Sequence, residues 1–325
     1  MEAQATLLDV FNNALIENSK IKGEVIVPFS GVSKKTFENQ EKYKNLLNFA
    51  TSKSDKELSR FLKSPLYYAG GKAKFYRDFR FLFPKNPKRY VEPFLGGGGV
   101  FFSYNPKNAI IGDVNEDLMN FYESLRDDVF GLVTSMSGFV NTKKDYYKIR
   151  DWDRVSSFNE LPKLMKAARF YYLNRMSYNG LYRVNSEGQF NAPYGYRDWE
   201  FEPDILTFSI INRKFNEKGI FLKNQDFRKT LRLVKKGDFI YLDPPIVKSL
   251  KYYEKGFTVA DLKDLKDLCD LAHERGAKFL MTYKFDKDVL ELFRDYDIEP
   301  FVNLRKINKD TSNRKNIEDI IIKNY

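Results

Sequence analysis

From residue 66 onward, short apolar runs alternate with segments whose apolar residues recur every three or four positions. The runs Arg89-Tyr90-Val91-Glu92-Pro93-Phe94 and Ala109-Ile110-Ile111-Gly112-Asp113-Val114-Asn115 predict strands, as do 219–222, 239–242, 278–282 and 317–322. Helical spacing predicts helices over 73–83, 116–126, 163–175 and 259–275. Strands alternating with helices predict an α/β protein with a Rossmann-like sheet and helices on both faces.

Two stretches break the alternation. Before residue 64, Leu7, Leu8, Val10, Phe11, Ala14 and Leu15 fall on one helical stripe, and Tyr43, Leu46, Leu47 and Phe49 on another. A third pattern over 57–62 follows Ser54-Asp55, a helix-capping pair. Residues 1–63 thus read as a mostly helical extension. Residues 127–200 carry the turn signals Asn179-Gly180 and Glu187-Gly188 between short β-like runs, which predicts a hairpin. The remainder, 64–126 with 201–325, reads as the catalytic domain around this insertion.

Composition narrows the function. The formal net charge of +11 favours a polyanionic partner, nucleic acid before membrane. No apolar run is long enough for a membrane-spanning helix, and the amino terminus lacks the pattern of a signal peptide. One cysteine, Cys269, and one histidine, His273, cannot build a Cys/His zinc site or a Ser-His-Asp triad, so no metal is expected. The absence of a possible disulfide fits an intracellular, reducing compartment.

Chemistry concentrates at predicted strand ends. Ile240-Tyr241-Leu242 delivers Asp243, and Pro244-Pro245 then stops regular structure. An acid beside rigidly held carbonyls suits gripping an amino group. Gly96-Gly97-Gly98-Gly99 lets backbone approach a ligand closely where a strand turns into a helix. Asp113, about fifteen residues on, is placed to take ribose hydroxyls, near the usual separation of about 20. No Walker Lys-Ser/Thr pair follows the glycines, which argues against ATP hydrolysis.

Tyr68-Ala69-Gly70-Gly71-Lys72, Val91-Glu92-Pro93-Phe94-Leu95-Gly96-Gly97-Gly98, Gly112-Asp113-Val114-Asn115 and Asp243-Pro244-Pro245 stand in one order. Between them lie Leu173-Asn174-Arg175, Tyr178-Asn179-Gly180-Leu181, Arg183, Asn185 and Phe190-Asn191-Ala192-Pro193. This order resembles that of Dam-type DNA adenine-N6 methyltransferases over about residues 64–325. The resemblance implies a mixed sheet of the seven-stranded type, S-adenosylmethionine as methyl donor and double-stranded DNA as substrate. It also implies roles. Tyr68, Lys72, Gly96, Gly98, Asp113, Asp226, Phe227 and Asp243 would surround the cofactor. Asp243, Pro244, Pro245 and the following residue would hold a flipped adenine. Tyr178, Asn179, Leu181, Arg183, Asn185 and Pro193 would meet DNA, with Arg183 at the position of the family's guanine-reading arginine and hence a GATC-like target.

The chain departs from this pattern twice. Ile246 replaces the aromatic residue, usually Tyr, that follows the second proline, and Tyr252, Tyr253 and Phe257 are the nearby rings that could substitute. Tyr67 stands where relatives often carry a lysine that touches a base. Three readings follow. The chain methylates DNA, weakened at Ile246; it is a catalytically silent DNA-binding relative; or it methylates RNA or protein.

Overall fold

A computed structural model of the chain describes residues 60–68, 70–247, 256–302 and 318–325, with positions 45, 52–54 and 57. The helices expected across residues 7–15 and 43–49, and Tyr252 and Tyr253, lie outside the described residues. Ser54 and Glu57 form a capping box: the Ser54 backbone and side chain donate to the Glu57 carboxylate at 3.0 and 2.7 Å.

Helix α1 (Ala73–Phe79) leads into strand β1 (Arg89–Glu92), helix α2 (Gly99–Tyr104), strand β2 (Ala109–Asp113) and helix α3 (Glu116–Asp127). Helices α4 (Val129–Ser135), α5 (Lys143–Arg150) and α6 (Lys163–Met176) belong to the interrupting region. Helix α7 (Ile205–Phe215), strand β3 (Ile220–Asn224), helix α8 (Phe227–Leu231) and strand β4 (Asp238–Leu242) follow. Helix α9 (Val259–Glu274), strand β5 (Lys278–Lys284), helix α10 (Lys287–Leu292), strand β6 (Asp297–Val302) and strand β7 (Glu318–Lys323) complete the order.

The sheet has seven strands in the order β3-β2-β1-β4-β5-β7-β6. Strands β1 to β5 run parallel, and β7 is antiparallel to both β5 and β6. Strands β2 and β4 are buried at every position, as the centre of a parallel sheet covered on both faces requires. The side-chain period of two divides the core. Tyr90, Phe239, Tyr241 and Leu280 face one layer, with α1, α2, α3, α6 and α7; Val91, Ile240, Leu242, Phe279 and Met281 face the other, with α8, α9 and α10. The chain winds outward from β1 through β2 to β3, then crosses back to β4 on the far side of β1. That reversal opens a crevice beyond the carboxyl ends of β1 and β4.

Helix α6 is buried over most of its surface, and its Tyr171 ring stacks on Phe121 of α3 at 5.4 Å and 11°. Such all-round burial explains its weak sequence periodicity. The expected hairpin is reduced to two antiparallel bridges, Ser177↔Tyr194 and Val184↔Phe190, closed at Gly188. Asn179-Gly180 is a separate 3-10 turn with both residues at positive φ. Strand β6 has no counterpart among the expected strands because Pro300 interrupts it; an edge strand tolerates the missing donor. Cys269 is fully buried in α9, and His273 meets Asn324. Among the described residues no helix is long and apolar enough to cross a membrane.

Candidate active site

A cleft of about 310 Å³ opens in the crevice predicted by the strand order. Its walls come from the ends of four neighbouring strands. Glu92 ends β1, Asp113 ends β2, Asp243 follows β4 and Thr282 lies in β5; all four line it. Tyr68, Lys72, the glycine turn, Phe94, Pro244, Pro245, Ile246 and Phe257 also line it.

The glycine turn folds tightly because Leu95 N–H donates to Gly112 O at 2.9 Å and Gly98 N–H to Leu95 O at 2.8 Å. Gly96 sits at φ 49°, and a Cβ there would come within 2.8 Å of the Tyr68 ring. At Gly97 a Cβ would meet the Tyr68 side chain at 2.7 Å. Only glycine leaves room for that ring to close the cleft wall. Tyr68 is placed from behind: Tyr67 N–H donates to Asn174 Oδ1 at 2.9 Å, and Asn174 Nδ2 donates to Tyr67 O at 2.6 Å. The buried Asn174 of α6 thus fixes the strand-like entry to the cleft.

Asp113 is 4% exposed, and its carboxylate accepts from Gly96 N–H at 2.9 Å and Asn115 N–H at 3.0 Å. Burial raises its pKa, partly offset by those backbone donors. Each oxygen retains a lone pair for a hydroxyl. Glu92 is more extreme. At 2% exposed it accepts from Tyr90 OH at 2.8 Å, and burial, with the charge of Asp243 adding, pushes its pKa well above the usual carboxylate range.

Asp243 Oδ1 accepts from Lys72 Nζ at 2.6 Å and from Thr282 Oγ1 at 2.9 Å. Tyr241 OH lies 3.0 Å from Thr282 Oγ1. The threonine has one proton and gives it to the carboxylate, so the tyrosine is the donor of that pair. Two donors occupy Oδ1, while Oδ2 has no hydrogen-bond partner among the described residues. Pro244 is buried and Ile246 half-buried against the core layer of α9. The third wall is aromatic: Phe94 and Phe257 line it with ring centroids 6.0 Å apart, and Phe227 packs behind them at 5.2 and 5.9 Å.

The expected cofactor set is therefore brought together at Tyr68, Lys72, Gly96, Asp113 and Asp243. Gly98, Asp226 and Phe227 stand back from the lining. A Cβ on Gly98 would face Phe102, and Phe227 is buried behind Phe94. Asp226 caps α8 by accepting from Arg228 N–H at 2.8 Å and pairs with the Arg228 guanidinium at 3.1 Å. The expected DNA set gathers at the cleft rim. Tyr178 is 53% exposed, Asn179 stands beside it, and Tyr178 N–H donates to Pro193 O at 2.9 Å. Gly180 and Tyr182 line the cleft itself, and Tyr182 OH donates to Asp117 of α3 at 2.8 Å. Leu181 is half-buried against the main core. Arg183 is exposed, its fork resting on Asn191 at 2.7 and 3.0 Å. Asn185 differs: its side chain accepts from Glu187 and Gln189 N–H and closes the turn. At Tyr67, the Arg175 guanidinium lies 4.1 Å over the ring and that of Arg197 5.5 Å.

Two lining residues of consequence escaped the sequence reading. Glu92 had a signal, an acid before a proline at a strand end, the same signature as Asp243. Thr282 had none, because a threonine inside an apolar strand reads as ordinary filling.

Residues 68–307 match the profile of the D12 class of N6 adenine-specific DNA methyltransferases. The chain belongs to this family. Among its relatives, type II methyltransferase M.MjaIII of Methanocaldococcus jannaschii is 34% identical over 297 residues, covering 83% of this chain and all of the relative. Type II methyltransferase M1.LlaDCHI of Lactococcus lactis subsp. cremoris is 31% identical over 267 residues, 79% of this chain and 94% of its own. A DNA adenine methylase of Haemophilus influenzae is 28% identical, covering 79% of this chain and 91% of its own. The Dam-type resemblance and the seven-stranded mixed sheet agree with this placement. As a DNA adenine-N6 methyltransferase, the chain has DNA as its substrate, and its family implies S-adenosylmethionine as donor.

Proposed function

We propose that this methyltransferase transfers a methyl group from S-adenosylmethionine to N6 of an adenine turned out of double-stranded DNA, with Asp243 as the residue that holds the amine. The observation that carries the reading is the division of the Asp243 carboxylate. Lys72 and Thr282 fix Oδ1, which leaves Oδ2 to accept a hydrogen from an exocyclic amine. Pro244, at the rigid turn, supplies the second acceptor through its carbonyl, and Pro245 keeps that turn extended. Two acceptors draw the amine lone pair out of conjugation with the ring. Placement and fixed electrostatics then supply most of the rate.

The cleft fits the donor on its own features. The glycine turn leaves space beneath the Tyr68 ring that any Cβ at Gly96 or Gly97 would fill. Asp113 offers acceptors for a ribose diol, and Phe94 with Phe257 offers an apolar face for a base, Phe227 supporting it from behind. The bound donor supplies an electrophilic methyl group; the protein excludes water and orients the amine.

Tyr178 and Asn179, on an exposed turn at the cleft mouth, are suited to wedge into a duplex while the base is extruded, at a cost of a few kcal/mol. Leu181 and Pro193 back that turn. Arg183 is placed to read guanine bidentately once Asn191 yields its fork, which supports a GATC-like site. Asn185 supports the same element from within its turn. Residues 1–63 stand as an extension to a catalytic unit of 64–126 and 201–325, and 127–200 as the target-recognition insertion. Labelled methyl transfer to duplexes that vary around GATC tests the assignment; label on N6 of adenine in GATC supports it, and equal labelling of unrelated adenines removes the site preference.

A further inference from the structure

A second concavity lies at the amino ends of strands β1 and β4, opposite the cleft. Arg89 at the start of β1, Arg232, Lys235 and Lys236 in the loop before β4, and Arg275 after α9 line it. We propose that this pocket is a second phosphate-binding site, and that its occupant is the sugar-phosphate backbone of a DNA segment other than the one in the cleft.

Two of its arginines, Arg89 and Arg275, are ordered by the fold. Arg89 Nη2 donates to Leu233 O at 2.7 Å and to Asp238 Oδ2 at 2.5 Å. Arg275 Nη1 donates to Arg232 O and Val234 O, both at 3.0 Å. Arg89 Nε is buried and has no partner among the described residues. Lys235, Lys236 and Arg232 are exposed, and neither they nor Arg275 has a carboxylate within salt-bridge reach among the described residues. Asp238 is the one acid tied to the cluster, so five cations face one carboxylate.

Helix ends explain only part of this. Arg232 and Arg275 follow the carboxyl termini of α8 and α9, where cations are favourable on their own. Arg89, Lys235 and Lys236 have no such reason to converge. Oriented guanidinium groups beside exposed ammonium groups match a phosphodiester, which needs fixed donors and a neutralising field. The DNA choice follows from the chain's substrate and its net charge of +11. The choice of a second segment follows from direction. Strand β4 carries Asp238 at one end and Asp243 just past the other, so the pocket and the cleft are separated by about 16 Å of strand and open oppositely. A straight duplex engaged at the cleft does not turn back to reach it.

The test uses the full chain with all residues present. The protein is held on an immobilised short duplex supplied in excess, then offered a second, labelled duplex at several salt concentrations. The expected result is retention of the second duplex, lost at least tenfold in affinity in Arg232→Ala/Lys235→Ala/Lys236→Ala. The salt slope of that second binding falls by about 2–3, one unit or slightly less per lost phosphate contact. Thermal midpoint and affinity for the first duplex stay unchanged, which separates lost binding from misfolding. Equal retention by the variant overturns the proposal. Binding of inorganic phosphate alone, lost in the variant while duplex retention persists, assigns the pocket to a free anion and also overturns it. None of these readouts involves methyl transfer, so they stand apart from the reading of the cleft.

Discussion

Lys72 Nζ donates to Asp243 Oδ1 at 2.6 Å, joining residues 171 positions apart across the mouth of the cleft. The lysine follows the first glycine turn, and the aspartate follows strand β4. The pair is partly shielded, with side-chain exposures of 17% and 29%. It locks the carboxylate rotamer. Replacing Lys72 with Ala removes one charge-assisted hydrogen bond, worth about 1.5–3 kcal/mol. Turnover should fall by roughly ten- to a hundredfold, more than a drop of a few degrees in thermal midpoint accounts for. Steady-state kinetics on a cognate duplex beside a melting curve checks this; a fall in stability with turnover intact contradicts it.

Ile246 lines the cleft beside Pro245, and on the proposed reading it would meet the flipped base with apolar contact but without a π-face. Stacking of a base on an aromatic ring is worth about 1–3 kcal/mol. Ile246→Tyr should raise the specificity constant for DNA by roughly ten- to a hundredfold. Of Tyr252, Tyr253 and Phe257, only Phe257 is among the described residues, and it is engaged with Phe94 and Phe227. A variant no better than the parent means that another group already stacks on the base.

Glu92 has a pKa in the folded chain held well above the ordinary value of 4.5, chiefly by burial. The folded state then holds a proton that the unfolded state has released. Stability from this group is complete below about the unfolded value and declines as pH rises towards the folded one. Asp113 acts in the same direction. Glu92→Gln should flatten the decline and gain relative to the parent as pH increases. Urea unfolding between about pH 5 and 9 measures it. Parallel curves for the two proteins mean that Glu92 does not titrate across folding.

Asn174 makes two hydrogen bonds to the backbone of Tyr67, one residue before the ring that closes the glycine turn. Asn174→Ala leaves a backbone donor and acceptor without partners, at about 1–3 kcal/mol for each one buried. The thermal midpoint should drop by several degrees and the KM for the methyl donor should rise. Loss of stability without any change in KM means that Tyr68 holds its place unaided.

Much of this was legible before the fold. Strand ends were readable because acids, glycines and prolines terminate apolar runs at β1, β2 and β4, and those terminations are the cleft. Less was readable where tertiary packing overrides local pattern. Helix α7 begins Ile205-Leu206-Thr207-Phe208, an apolar run with no helical stripe to see, and strand β6 hides behind Pro300. Asp226 is paired with Arg228, two residues on, a partner that the strand-end pattern does not announce. The Asn185 side chain accepts from Glu187 and Gln189 N–H inside its own turn, which its neighbours in sequence do not reveal. In each case a short-range partner decided the role of a polar group.

The most direct test is transfer of tritium from labelled S-adenosylmethionine to duplex DNA, followed by digestion to nucleosides. The account predicts label in N6-methyl-2′-deoxyadenosine with the unaltered chain, reduced about a hundredfold or more in Asp243→Asn, the loss expected when one preorganised electrostatic contact is removed. Absence of label on any DNA, with Ile246→Tyr equally silent, would contradict it.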